Sequence, residues 1–274
     1  MKRFTLFVLL FLSGCILSGC AENVEIIAHR GASFLAPENT LASVNLAWQK
    51  QADITEIDIY LSADNRIVVI HDTTTKRTSG TDLEVTKTTA AKLQQLDVGG
   101  FANFKNSKYP PQRIPLLEEV IAIIPPGRKL CLDVKCGKRI VPILHEVVAS
   151  SGKVNQIILF HSDLKMLTEF KKLSPSTPAY WLVGTAIDEQ TKKPIPHKIE
   201  LVQIVKDRNL DGLSVQYAGV TKALADAVRQ ADQKLYVWTV NDANEAIRLK
   251  QLGVTGIITD RPGWIRKKLE NHKR

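Results

Sequence analysis

A few short segments carry most of this chain's reactive side chains. Ala28-His29-Arg30-Gly31 is followed by Pro37-Glu38-Asn39-Thr40, and Glu56-Ile57-Asp58 sits inside an apolar run. His71-Asp72 closes the run Ile67-Val68-Val69-Ile70, and Asp133-Val134-Lys135 ends another. Glu56 and Asp58 are two residues apart, so in a strand both point to one face, roughly 6.6 Å apart along the chain. Two carboxylates on an inward face repel each other and are costly to bury unless a cation lies between them. With Asp133 as a third acid and no cysteine partner, the donor set suits one divalent ion, Mg2+ or Ca2+, rather than zinc. Solvated acids on a half-exposed strand would show the same spacing. Histidine titrates near neutrality, which suits His29 and His71 to a general base and general acid pair. A hydrogen-bonded structural histidine is the plainer alternative at each. Arg30 and Lys135 could hold phosphate oxygens and offset charge developing in a transition state, or simply pair with neighbouring acids. Trp238 and Phe101 could line a pocket for a small polyol or alkyl group, or belong to the core. Together this is the equipment for metal-assisted attack on a phosphate ester.

The elements that must position these groups are short apolar runs alternating with amphipathic stretches. Strands are expected at 24–28, 54–59, 130–135, 156–160, 179–183, 211–215, 235–239 and 256–259. A helix starts at the Asn39-Thr40 cap with Leu41, Val44 and Trp48 on one face. A second opens with Pro115 and aligns Leu117, Val120, Ile121 and Ile124, and a third aligns Leu224, Ala227, Val228 and Ala231. Eight strands alternating with helices imply a parallel sheet, and eight is the number that closes a TIM (β/α)8 barrel. His29, Asp58, Lys135, His161, Gln216 and Trp238 fall at or near the C-terminal ends of different strands. That favours the barrel, whose active sites are built on that rim, over an open sheet with one switch point. Residues 60–129 break the alternation. They begin with a hairpin-like pair, 56–61 and 66–70, and contain one expected helix near 88–96. We read them as an insertion after the second strand that caps the barrel mouth.

The chain has 274 residues, 44% hydrophobic and 24% charged, without a linker-like or low-complexity tract. One domain, 21–274, is therefore expected after a leader at 1–20. Lys2 and Arg3 precede the apolar stretch Phe4–Leu12, which is too short to span a bilayer alone. Leu-Ser-Gly-Cys then occurs twice, ending at Cys15 and at Cys20. This resembles a bacterial lipoprotein signal. Cys20 is the preferred lipidation site, which would hold the protein at the membrane in the cell envelope, facing the periplasm or the exterior. Removing residues 1–19 leaves 35 basic and 28 acidic residues, a net charge of +7. A positive surface favours anionic substrates and anionic lipid headgroups. Neither a nucleic-acid partner nor an obligate protein partner is expected. The two remaining thiols, Cys131 and Cys136, would lie roughly 16 Å apart in extended chain and are expected to stay free.

Taken together, the motifs resemble the glycerophosphodiester phosphodiesterases. Besides the segments already quoted, the matching pieces are Arg77-Thr78, Leu96-Asp97-Val98-Gly99, Ile114-Pro115-Leu116-Leu117-Glu118-Glu119, Val237-Trp238-Thr239-Val240-Asn241 and Gly256-Ile257-Ile258-Thr259-Asp260-Arg261-Pro262. The resemblance runs from about residue 25 to 264. It implies a TIM barrel with a small insertion after the second strand, a divalent metal on Glu56, Asp58 and Asp133, and catalytic His29 and His71. It also implies hydrolysis of a glycerophosphodiester to sn-glycerol 3-phosphate and an alcohol. The chain departs from the family pattern at Asp133, where a glutamate is usual.

On this reading His29 is the base, His71 the acid, and Arg30, Lys135 and Trp238 meet the phosphate or the substrate. Two alternatives stay open. One is a phospholipase D-like hydrolase acting on lysophospholipids or sphingolipids. The other is a non-catalytic envelope lipoprotein that binds a phosphorylated ligand.

Overall fold

Eight parallel strands close into a ring in the computed structural model, which describes residues 24–101, 104, 109 and 111–272. Cys15 and Cys20 lie outside the described residues. The strands are β1 (Glu25–Ala28), β2 (Ile54–Leu61), β4 (Lys129–Val134), β5 (Ile157–His161), β6 (Ala179–Val183), β7 (Gly212–Gln216), β8 (Lys234–Trp238) and β9 (Gly256–Thr259), with β3 (Ile67–Val69) antiparallel to the far end of β2. Each barrel strand lies within a residue or two of its expected run. Pairing of β1 with both β2 and β9 closes the ring, so this is a TIM barrel with one extra strand. Every strand and helix that builds the barrel lies within residues 24–272. No helix among the described residues is long and apolar enough to cross a membrane.

The expected helices form at Leu41–Gln49, Leu117–Ala122 and Lys222–Gln230. Thr40 caps the first: its hydroxyl accepts from the Ser43 amide while the Ser43 hydroxyl accepts from the Thr40 amide.

Side-chain alternation along the strands produces two cores. Outward residues such as Ile26, Ile57, Leu130 and Leu132 pack against the helices. Inward residues Ile27, Ile54, Cys131, Ile158, Tyr180 and Tyr236 fill the lower barrel. Two residues further along each strand, the same inward period reaches His29, Glu56, Asp133, Phe160, Leu182 and Trp238. On β1, β2 and β4 the interior therefore changes from an apolar plug to a polar layer within one step of the strand repeat, while Phe160 and Leu182 keep the β5 and β6 side apolar. Gly256 makes room for the plug, since a Cβ there would meet the Tyr236 ring at 2.9 Å.

Residues between β2 and β4 differ from expectation in detail. The helix expected near 88–96 is a single turn, Ala90–Leu93. The segment has its own small core, Val68, Ile70, Val85, Ala90, Leu93, Val98 and Ile114, built on Tyr60 beside β2 and β3. Among the described residues it contributes His71 to the wall of the polar cavity.

Candidate active site

The polar layer surrounds a cavity of about 160 Å³ at the C-terminal end of the barrel, lined by His29, Arg30, Glu56, His71, Asp133, Lys135 and Trp238 with an apolar floor that includes Phe160 and Ile258. Phe101 is not part of this wall; its ring faces the Arg77 guanidinium, 5.8 Å away. His161 is absent from the wall as well. One ring nitrogen accepts from the Asp163 amide at 2.7 Å, and burial lowers its pKa, marking a structural histidine.

The parallel register of β2 and β4 sets Asp58 directly beside Asp133, and Glu56 lies one inward step below Asp58. Oxygens of the three carboxylates lie within 4.8 Å of one another. They are buried, Glu56 and Asp58 to 3% and 1% exposure, which removes the solvated-edge alternative. Burial, then the charges of Asp58 and Asp133, push the Glu56 carboxyl up to about 8. Burial raises Asp133 to about 6, aided by Asp58 and opposed by Lys135. Asp58 stays below the usual carboxylate range despite its burial, because Lys135 and Arg30 flank it. The Lys135 Nζ lies 2.5 Å from Asp133 and 3.1 Å from Asp58, and the Arg30 Nε lies 3.1 Å from Asp58. Asn39 completes the shell, donating to Asp58 Oδ2 at 2.8 Å and accepting from the Asp58 amide at 3.1 Å. The other Asp58 oxygen, Oδ1, is buried and faces the Lys135 ammonium. Three crowded, buried carboxylates, two of them with raised pKa, fit a hard divalent cation.

Both cavity histidines are held the same way. His29 Nδ1 lies 2.6 Å from Asp260, and His71 Nδ1 lies 2.7 Å from Asp72. Asp260 is pulled down to about 2 by the His29 hydrogen bond and charge, with help from Asn241 and Ser33, against the opposing effect of burial. Asp72 is likewise held below its usual range by Arg77 and His71 against its own burial. An ionised carboxylate only accepts, so Nδ1 carries the proton in each ring and Nε2 is left for the substrate. The His29 pKa is raised: the Asp260 hydrogen bond and the Glu56 charge outweigh burial, which alone would lower it. The two carboxylates differ in their other partners. Asp260 accepts from the neutral Ser33 and Asn241, whereas Asp72 is shared with the Arg77 guanidinium. Arg77 continues to Glu38, which also holds Arg30 at 3.0 Å, linking the two histidine arms.

The turn that aims His29 and Arg30 depends on glycine. Gly31 has φ +79°, and a Cβ there would meet Ser43 at 2.5 Å. The Gly31 amide donates to the Glu56 carbonyl and the Arg30 amide to the Glu56 carboxylate, so this turn and β2 are one unit. Gly31→Ala is expected to cost about 3 kcal/mol of stability, read as a lower denaturant midpoint at unchanged slope.

Of the proposed site residues, the structure brings together His29, Arg30, Glu56, Asp58, His71, Asp133, Lys135 and Trp238. Sequence reading did not single out Asp260, Asn39, Glu38 or Arg77 as site residues. All four lie in the quoted motifs, but their partners are set by tertiary contact.

Comparison with known proteins agrees with this geometry. Residues 29–264 match the model of the glycerophosphoryl diester phosphodiesterase family. A glycerophosphodiester phosphodiesterase of Caldanaerobacter subterraneus is 30% identical over 246 residues, covering 86% of this chain and 94% of that protein. A lysophospholipase D of Rattus norvegicus is 27% identical over 272 residues, covering 89% of this chain and 86% of that one. The structure of an Oleispira antarctica phosphodiesterase in complex with the product sn-glycerol-3-phosphate superposes with a TM-score of 0.78 at 28% identity, covering 90% of this chain and 96% of that chain. With a closed barrel, an acidic triad and two carboxylate-held histidines at its mouth, the chain belongs to the glycerophosphoryl diester phosphodiesterase family of phosphoric diester hydrolases.

Proposed function

We propose that this protein hydrolyses glycerophosphodiesters to sn-glycerol 3-phosphate and an alcohol, using a divalent cation on Glu56, Asp58 and Asp133 and proton transfer by His29 and His71. The observation that carries this reading is the convergence of two carboxylate-held imidazoles and the acidic triad on one cavity of about 160 Å³. That volume is well below the roughly 300–1,000 Å³ of drug-sized pockets, which suits a glycerophosphoryl group. The Oleispira relative's product complex supports the same class of product.

A bound divalent ion would supply Lewis-acid polarisation of a phosphate oxygen. The chain's own groups do the rest. Arg30 and Lys135 offset the charge that builds on the phosphoryl oxygens. His29, made more basic by Asp260, takes the proton from the attacking oxygen through Nε2. His71 acts as the acid when Nε2 also carries a proton, which passes to the leaving alcohol while Asp72 keeps hold of Nδ1–H. Trp238, whose indole N–H is tied to the Ser214 carbonyl at 3.2 Å, forms a fixed wall for the glycerol part.

The direct test is release of sn-glycerol 3-phosphate from glycerophosphocholine and glycerophosphoethanolamine by the chain from residue 21. Turnover is expected with Mg2+ or Ca2+ and at least a hundredfold less in EDTA. Lysophosphatidylcholine in the same assay separates the phospholipase D-like alternative, and folded protein that binds but never turns over would restore the binding-only reading. For the leader we propose lipidation at Cys20. Cys20→Ser in the full chain should move the protein from the high-salt-washed membrane pellet to the soluble fraction; retention in the washed pellet would remove that assignment.

A further inference from the structure

A second concavity, of about 510 Å³, lies on the barrel flank between helix Leu41–Gln49 and helix Pro262–Asn271, and it shares no residue with the catalytic cavity. Its edge carries Phe34 and Leu35, 52% and 43% exposed. Single exposed apolar residues are ordinary. Here Phe34, Leu35 and Trp264 line one groove, and the Arg261 guanidinium lies over both rings, 4.2 Å from Phe34 and 4.4 Å from Trp264. Stacking occupies the guanidinium faces and leaves its N–H edge for an anion.

Charge on this flank is one-sided. Lys50, Arg261 and Lys267 line the groove and form no ion pair among the described residues, and Glu270 is the only acid in the lining. Arg266 is committed to Asp53, which also accepts from the Ile26 amide, so the chain enters β1 beside this flank. At the other end, the Phe34 amide donates to the Asp260 carbonyl and the Ser33 hydroxyl to the Asp260 carboxylate that holds His29. The groove therefore extends from the entry of the chain to the catalytic rim.

We propose that this flank docks on an anionic phospholipid bilayer, with Phe34 and Leu35 entering the interface and Lys50, Arg261 and Lys267 meeting headgroup phosphates. Apolar side chains ringed by unpaired cations are what such an interface selects. A flank-on pose agrees with the lipidation proposed at Cys20, which would leave four residues before β1, and sets the cavity mouth beside the headgroup layer.

The test is vesicle co-sedimentation of the chain from residue 21, which keeps the whole barrel, on phosphatidylcholine vesicles with and without phosphatidylglycerol. Binding is expected only on the anionic vesicles and should fall with salt. Lys267→Glu should weaken it at least fivefold, Leu35→Ser should weaken it further, and hydrolysis of soluble glycerophosphocholine should not change in either. Lys193→Glu, the same charge change on the loop after β6 across the barrel, should leave vesicle binding nearly intact. Equal loss in Lys193→Glu would mean unspecific attraction of a basic protein and would overturn the proposal. So would unchanged binding in both groove variants, or a dimer in vesicle-free solution that Leu35→Ser dissociates.

Discussion

Alanine at His29 or at His71 is expected to lower kcat by roughly a hundred- to ten-thousandfold while leaving the barrel folded. Both rings line the cavity, and each is fixed by one ionised carboxylate on Nδ1. Their partners Asp260 and Asp72 are 29% and 30% exposed, so truncation leaves no fully buried unpaired carboxylate. The two arms separate by leaving group. A diester whose alcohol leaves without protonation, such as a nitrophenyl ester, should recover much of the rate in His71→Ala and little in His29→Ala. The reverse pattern would exchange the roles of base and acid; full activity in both variants would remove both. Asp260→Asn adds a test of position. Asp260 raises the His29 pKa and fixes its tautomer, so its loss should cost about tenfold, a part of the whole general-base contribution. It should also move the acidic limb of the kcat/KM profile to lower pH. A purely structural Asp260 would lower the folding midpoint and leave that limb in place.

The contrast between the two histidine arms shows what a sequence can convey. His71-Asp72 is legible because the partner is the next residue. His29-Asp260 is not, since 231 positions separate them and only the β1–β9 pairing, Ala28 opposite Thr259, brings them side by side. The acidic triad lies between these cases. Glu56 and Asp58 share a face by strand period alone, but Asp133 joins them through the β2–β4 register, which no local pattern fixes. The eight strands were legible because each is an apolar run bounded by turn residues. Residues 84–101, before the helix that opens with Pro115, were harder to read. They have no long periodic stretch, and their single-turn helix is held by packing on Tyr60 and Val68 rather than by propensity. The Arg77–Glu38–Arg30 connection was missed for the same reason as Asp260. Long charged side chains choose partners in space, and sequence distance carries no trace of the choice.

Glu56→Gln is expected to abolish metal-dependent turnover and, in metal-free solution, to make the protein more stable. The Glu56 carboxyl stands at about 8, against an ordinary 4.5, because of burial first and the Asp58 and Asp133 charges after it. A group whose folded pKa is raised binds its proton more tightly in the folded state. The associated stability is full below the unfolded value of 4.5 and is lost as pH climbs through about 8. In EDTA the wild-type protein should therefore weaken steadily between about pH 4.5 and pH 8, by on the order of 3 kcal/mol at neutral pH. An amide in place of the carboxyl has no proton to lose, so E56Q should lack that slope. Its melting temperature at the alkaline end should exceed that of wild type by about 5–10 °C. Mg2+ or Ca2+ should reverse the order, since a cation among the three carboxylates relieves their repulsion in wild type and finds only two charged ligands in E56Q. Thermal melts of both proteins across this pH range, with EDTA and with each metal, measure the effect without any turnover. A wild-type curve that does not weaken with rising pH in EDTA, or an E56Q protein no more stable than wild type there, would mean that the triad is already satisfied by Lys135 and Arg30. The case for a cation at this site would then lose its physical basis, because the same repulsion that makes the empty triad costly is what would bind the metal.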